Sequence, residues 1–231
     1  MVQEMIIITL GMVTALNGFG LALSYWIVLK RPRNNRLQDR KYKVSTLNQR
    51  LRLIFFNLGT IYVITYVGIS VLGDFLIMEP IAWWLLLLQC WLISFFDDAY
   101  FFFFHRWLHL NKTLYRKIHK LHHKAFSPLP IEYIYVHPLE WMGGAIAPIT
   151  GFIVVGLWGG ALNFWVFLVY SALRTIHELD IHSGFRSKWA RIIPLLGHAE
   201  HHDLHHAKPN IGNYAATYVF WDRLFGSEIK G

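Results

Sequence analysis

The sequence predicts an all-α membrane protein, a multi-pass helical bundle of three spans plus a helical hairpin, capped by a cytoplasmic histidine-rich helical layer. Three observations predict it. Apolar residues make up 55% of the 231 positions and charged residues 16%, against roughly 45–50% and 25% in an ordinary soluble domain. Uncharged stretches recur at the length of a bilayer crossing. The basic residues and the histidines are confined to the segments between those stretches.

Residues 5–29 carry no charge, and about 20 apolar residues cross the hydrocarbon core as a helix. Residues 1–4 lack the basic start of a secretory signal peptide, so this run reads as a retained anchor. A basic loop follows, from Lys30 to Arg52, with Arg31, Arg33, Arg36, Arg40, Lys41, Lys43 and Arg50 between. Residues 53–73 form the second span. The turn at 74–80 holds Asp74 and Glu79 and no basic residue. Residues 81–104 form the third span, interrupted only by Asp97 and Asp98. A polar, histidine-rich stretch occupies 105–140. Residues 141–173 are uncharged and too long for one crossing at about 1.5 Å per residue. Gly159–Gly160 in their middle predicts a hairpin of two helices or of re-entrant halves. A second histidine-rich stretch runs from Arg174 to the end. The whole chain reads as one integral membrane domain, 1–231, with an anchor region at 1–94 and a catalytic region at 95–226.

All 22 Lys and Arg residues lie in 30–52, 105–124 or 174–231. With the N-terminus outside, three crossings and a hairpin place those three regions on the cytoplasmic side, as the positive-inside rule requires. The formal charge of +8 is therefore a topological signal and implies no nucleic-acid partner. The single cysteine, Cys90, sits in an apolar run, which excludes an intrachain disulfide and a cysteine-based zinc or iron–sulfur site.

All 13 histidines fall between 105 and 206, in the two stretches assigned to one membrane face. His105 and His109 are spaced i, i+4. His119, His122 and His123 are spaced i, i+3, i+4, and His202, His205 and His206 repeat that pattern. On a helix such positions share a side. His177 and His182 lie between, with His137, His198 and His201 nearby. Neutral imidazole binds zinc, iron, copper and nickel, and a tetrahedral zinc site takes four ligands. Eight or more clustered histidines therefore point to two metals.

The strings His-Arg-Trp-Leu-His at 105–109, His-Lys-Leu-His-His at 119–123 and His-His-Asp-Leu-His-His at 201–206 resemble the fatty acid hydroxylase superfamily. The resemblance extends to its sterol branch, the sterol C4-methyl oxidases and cholesterol 25-hydroxylases. It is carried there by His137-Pro138-Leu139-Glu140, by Asp180-Ile181-His182-Ser183-Gly184, and by Ile211-Gly212-Asn213-Tyr214-Ala215 with Trp221-Asp222-Arg223-Leu224-Phe225-Gly226. It implies a non-haem di-iron oxygenase that hydroxylates or desaturates a lipid, sterol-like or fatty acyl, with O2. Electrons would come from a carrier such as cytochrome b5 or a ferredoxin. Carried over residue by residue, it implies His105, His109, His119, His122, His123, His182, His202, His205 and His206 as ligands, with His177 an additional one. His137, His198 and His201 are expected behind the ligands, against substrate or in solvent. The compartment is the bacterial inner membrane or the endoplasmic reticulum, with the metals on the cytoplasmic side.

Ligand histidines commonly donate their second N–H to a carboxylate or a carbonyl. Glu140, Glu178, Asp180 and Asp203 are interleaved with the histidines and are candidates. Asp98 lies seven residues before His105, on the same helical face, and a carboxylate inside a span needs a partner. Asp97 is given no role. Phe101–Phe104 and the tryptophans Trp83, Trp84, Trp91, Trp107 and Trp141 read as core packing and interface belts, or as a channel lining. The stretch 106–124 reads as a basic amphipathic segment in the membrane interface.

The rival readings are a histidine-rich zinc hydrolase and a metal-binding or transport protein. A hydrolase of the His-Glu-x-x-His kind requires a string that is absent. A transporter places its ligands near the bilayer midplane, whereas these fall at one face. Imidazole accepts zinc as well as iron, so the metal itself stays open between them.

Overall fold

The structure is a computed structural model that describes residues 1–39, 41–159, 161–187 and 197–229. Its helices are α1 (Val2–Lys30), α2 (Val44–Leu72), α3 (Trp83–Leu110), α4 (Lys112–Lys117), α5 (Pro138–Gly159), α6 (Phe164–Ile181), α7 (Ala199–Ala207) and α8 (Phe220–Leu224). Short 3-10 turns cover His119–Lys124 and Pro130–Ile134.

Helices α1, α2, α3 and α5 are long and apolar enough to cross a membrane. Their outer faces are apolar and uncovered, as at Ile7, Phe19, Phe55, Val63, Trp91 and Leu157. That is the surface a lipid solvent tolerates and water does not. The stretch 141–173 forms a hairpin of two helices rather than re-entrant halves. Helix α5 ends at Gly159, while Gly160 lies outside the described residues, as does Arg40 of the basic loop. Asn163 then caps α6, its side chain accepting from Trp165 N at 2.9 Å. The last turns of α6 carry Arg174, His177, Glu178 and Asp180, so this helix leads from the apolar bundle into the polar cap.

The faces that pack are small and polar where helices approach closely. On α1 the buried stripe is Met5, Thr9, Asn17, Gly20, Ser24 and Ile27, a spacing of three, four and their multiples. Ser24 Oγ accepts from Ile131 N at 3.0 Å, and Asn17 Oδ1 accepts from the Tyr133 hydroxyl at 2.8 Å. Where α5 crosses α3, a Cβ on Gly151 would lie 2.5 Å from Ile93 O, so only glycine permits the crossing. Cys90, Ile93, Val155, Val166 and Tyr170 fill the space between α3, α5 and α6.

The two ends of the bundle differ. At one end the two-residue strands β1 (Leu76–Ile77) and β2 (Leu162–Asn163) pair in parallel. Trp165 Nε1 donates to Met78 O at 2.9 Å, and Met5, Ile69 and Phe164 form the core beneath. The N-terminus and both outer turns therefore share one end. The other end carries the basic loop and the histidines. There Leu37 N donates to Gly184 O and Arg186 N to Asn35 O, at 2.9 and 2.8 Å, lashing the loop after α1 to the chain after α6. Trp83 and Trp84 at the start of α3, and Trp107 near its end, are exposed at the levels expected of interfacial belts. Phe102 is instead fully buried, stacked on Trp221 and Phe225.

Candidate metal centre

Nine histidines converge in two adjoining groups. His105, His109, His119, His123 and His205 form one; His122, His182, His202 and His206 form the other; within each group the ligand atoms all lie within 4.8 Å of one another. The groups touch, with the His123 and His206 ring centroids 5.0 Å apart. All nine side chains are buried.

Helical geometry explains the partition. Members spaced i, i+4 stay together: His105 with His109, His119 with His123, His202 with His206. The i+3 member of each three-histidine box crosses to the other group, so His122 leaves His119 and His205 leaves His202. On an α-helix adjacent positions such as His205 and His206 diverge by about 100°, so one box serves two centres. The expectation that each box converges on one side is corrected to this exchange.

The rings are held from behind. His105 Nδ1 donates to Tyr214 O at 2.7 Å, His205 Nδ1 to Gly212 O at 2.8 Å, and His182 Nδ1 to Glu178 O at 2.9 Å. His119 Nδ1 meets Glu140 Oε1 at 2.7 Å, and His122 Nδ1 meets Tyr135 O at 3.4 Å. A neutral ring whose proton is on Nδ1 has only a lone pair at Nε2. Yet His105 Nε2 lies 3.1 Å from His119 Nε2, and His119 Nε2 lies 2.8 Å from His109 Nε2. In the second group, His202 Nε2 lies 3.0 Å from His182 Nε2 and 3.1 Å from His206 Nε2. His205 Nε2 is buried and has no hydrogen-bond partner among the described residues. His105 and His119, both held through Nδ1, thus turn acceptor on acceptor, an arrangement that a cation between them would satisfy, and each of the two buried groups could hold a metal ion, so the residues present fit two. Burial also pushes His119 and His122 down to about 3 and His182 to about 4. It lowers His123, His202, His205 and His206 as well. Neutral imidazole is the metal-binding form.

The backbone acceptors are themselves fixed. Gly212 has φ 155° and Asn213 φ 60°, conformations that favour glycine and tolerate asparagine. A Cβ on Gly212 would lie 2.0 Å from Ser227 O. Fully buried Asp222 accepts from Tyr214 N, Ala215 N and Ser227 Oγ at 2.9, 2.8 and 2.6 Å. Burial opposes its ionisation, but these donors and the neighbouring His201 hold its carboxyl below the usual range. Asp98 accepts from Thr217 N and Tyr218 N, both at 2.8 Å. It supports the stretch of chain that supports His105, one step further from the histidine groups than its spacing predicted.

The remaining candidates fall elsewhere. His177 joins neither group. Its Nε2 lies 3.1 Å from Ala216 O, and five positions separate it from His182, about 140° around the helix; its expected ligand role is corrected accordingly. His137 caps α5, accepting from Leu139 N at 3.2 Å. His198 caps α7, accepting from His201 N at 3.3 Å, and His201 Nε2 is 3.3 Å from Asp222 Oδ2. Asp203 accepts from Gln38 Nε2 at 2.9 Å. Among the described residues the Asp180 carboxylate makes no hydrogen bond to a histidine; its backbone carbonyl accepts from Ser183 N at 2.9 Å. Asp97, given no role, bonds the Tyr170 hydroxyl and Arg174 Nε. Asp222, Arg50 and Glu132 were missed as individual residues; only the run Trp221–Gly226 drew attention to the first.

An open cavity of about 420 Å³ lies against His109, lined also by Leu110, Lys112, Tyr115, Arg116 and Asn210. Tyr115 lies over His109, His119 and His123, with ring centroids 5.3, 6.1 and 6.0 Å away.

An apolar bundle with nine imidazoles gathered at one end defines a membrane protein built around a polyhistidine centre. A family model for the fatty acid hydroxylase matches residues 90–227, and the chain belongs to that family. Methylsterol monooxygenase 1 of Gallus gallus is 31% identical over 208 residues, 89% of this chain and 67% of its own length. Methylsterol monooxygenase erg25B of Aspergillus fumigatus is 35% identical over 153 residues, 63% of this chain and 49% of its own. The very-long-chain aldehyde decarbonylase GL1-11 of Oryza sativa subsp. indica is 30% identical over 185 residues, 77% of this chain and 67% of its own. The chain thus spans about half to two thirds of the length of these relatives. No solved structure matches it.

Proposed function

We propose that the nine converging histidines hold two iron ions, and that the protein uses them with O2 to hydroxylate, or desaturate, an unactivated carbon of a membrane lipid. The single observation that carries this reading is the pair of adjoining imidazole groups at one end of an apolar bundle. Bound iron would supply the activation of O2. The protein's part is to hold the rings, exclude water and position the carbon. Glu140 and the carbonyls of Tyr214, Gly212 and Glu178 fix ring orientation. The burial of all nine rings keeps water from the oxidant. The relatives' names favour a sterol or a long-chain aliphatic substrate, entering laterally from the bilayer into one catalytic unit.

Each O2 reduced in a monooxygenation takes two electrons, and this chain has no flavin, haem or iron–sulfur motif to supply them. An external one-electron carrier, cytochrome b5 or a ferredoxin, fits the basic face. Lys112 and Arg116 at the mouth beside His109 would steer an acidic partner there. The positive-inside pattern makes that face cytoplasmic, in a bacterial inner membrane or the endoplasmic reticulum. The hydrolytic alternative is less well supported, because Glu140 meets the rear nitrogen of His119 and is turned away from any ligand position. The test is elemental analysis of active protein alongside oxygen uptake with lipid. Two metal ions per chain and iron-dependent uptake support the proposal. One metal, or turnover with zinc alone, overturns it.

A further inference from the structure

A buried charged cluster lies away from both histidine groups, where the start of α2 meets the chain after His123. Glu132 is completely buried. Its Oε1 accepts from Arg50 Nη1 at 2.5 Å and from the Tyr42 hydroxyl, and its Oε2 accepts from Leu129 N at 3.0 Å. Arg50 does more than neutralise it. Its Nη2 donates to Lys124 O at 2.7 Å, and its guanidinium lies 4.9 Å over the Tyr135 ring. One arginine therefore holds both ends of the loop 124–135. The near end follows directly on His122 and His123. The far end is Tyr135, whose carbonyl faces His122 Nδ1. About two turns further along α2, Asn57 Nδ2 donates to Ile134 O and Val136 O, both at 2.9 Å, clamping the segment that carries the Tyr135 carbonyl.

We propose that Arg50 and Glu132 are positioning residues that close this loop and thereby set His122 into the group of His182, His202 and His206. The inference rests on the metal reading above. It concerns one group more than the other, because the loop carries its acceptor to His122 alone, whereas His119 is oriented independently by Glu140. A fork-shaped guanidinium suits the task, since it bonds a carboxylate and a carbonyl at once. Lysine keeps the charge but makes no such two-ended grip.

The test uses the full-length protein in detergent, loaded with cobalt(II) as a spectroscopic probe, with melting of the metal-free protein followed in parallel. Glu132→Gln removes the charge partner of a buried arginine and lowers the melting temperature. Arg50→Met with Glu132→Leu removes the pair altogether, and such replacements commonly restore stability. In Arg50→Lys and in the double variant, one cobalt equivalent binds as in the wild type. The second weakens by roughly 10- to 100-fold, the effect of losing a group that orients a ligand, and its share of the visible spectrum is lost. A purely structural role gives a different pattern, in which metal binding recovers with the melting temperature. Wild-type binding of both equivalents by either variant overturns the proposal, as does equal loss of both equivalents. A wild-type protein that binds no second equivalent removes the metal reading and this proposal together.

Discussion

Glu140 approaches the rear of His119, with 2.7 Å between Oε1 and Nδ1, and among the described residues no other ring of the five-histidine group has a carboxylate in that place. His105 and His205 rely on carbonyls. A carboxylate raises the basicity of the imidazole it holds, and replacing such a group commonly weakens metal affinity by about 10- to 100-fold. Glu140→Gln is accordingly expected to bind metal at the His119 group that much more weakly, read by competitive chelation, with the helical content unchanged. Protonation acts on the same rings. Burial places the folded-state values of His182, His119 and His122 at about 4 and 3, below an unfolded value of about 6.5. The unfolded chain thus binds protons first as the pH falls. Stability supplied by the neutral rings is complete above about 6.5 and is lost on descending through 4 to 3, at about 1.4 kcal/mol per pH unit for each such ring. Melting of the metal-free protein between pH 7 and pH 4 should follow that direction; a melting temperature that rises on acidification would contradict it.

At the scale of elements, three short pieces of chain work as one: α7 with its His202, His205 and His206, the loop 211–215, and α8 with Asp222. The loop presents Gly212 O to His205 and Tyr214 O to His105, and α8 holds the loop by its amides. Gly212→Val forces a branched side chain into a positive φ and against Ser227 O. It should cost about 1–3 kcal/mol and loosen metal at the His205 group, measured by melting and by metal content; unchanged metal content would show that the loop carbonyl is dispensable. The spans and the outer turns were legible because uncharged length and basic-residue placement are bulk properties of a segment. All nine grouped histidines were legible from spacing and resemblance. Their division into five and four was not, since it depends on how helices of different origin face each other. His177 misled because resemblance names a position without its angle around α6. Asp97 was seen but given no role, and Asp222, Arg50 and Glu132 were given none individually, because a single acid or base in a sequence carries no sign of its burial.

The whole molecule is polar in arrangement, with the N-terminus and both outer turns at one end and the cap at the other. The proposed orientation, with the cap cytoplasmic as the positive-inside rule favours, can be tested directly. Cysteines introduced at Lys41 and Lys208 should therefore be labelled from the same side of sealed vesicles, and labelling from opposite sides would break the topology. This polarity also explains how a lipid enzyme could work here, with the apolar bundle open to lipid and the dry histidine centre directly above it. The central claim is that this centre inserts oxygen from O2 into that lipid. The most direct test supplies iron-loaded, vesicle-reconstituted protein with a reduced carrier, sterol or acyl lipid, and 18O-labelled dioxygen in unlabelled water, and reads the product by mass spectrometry. The account predicts a hydroxylated lipid carrying 18O, absent when zinc replaces iron; an oxygenated product whose oxygen comes from water, or equal product with zinc, would contradict it.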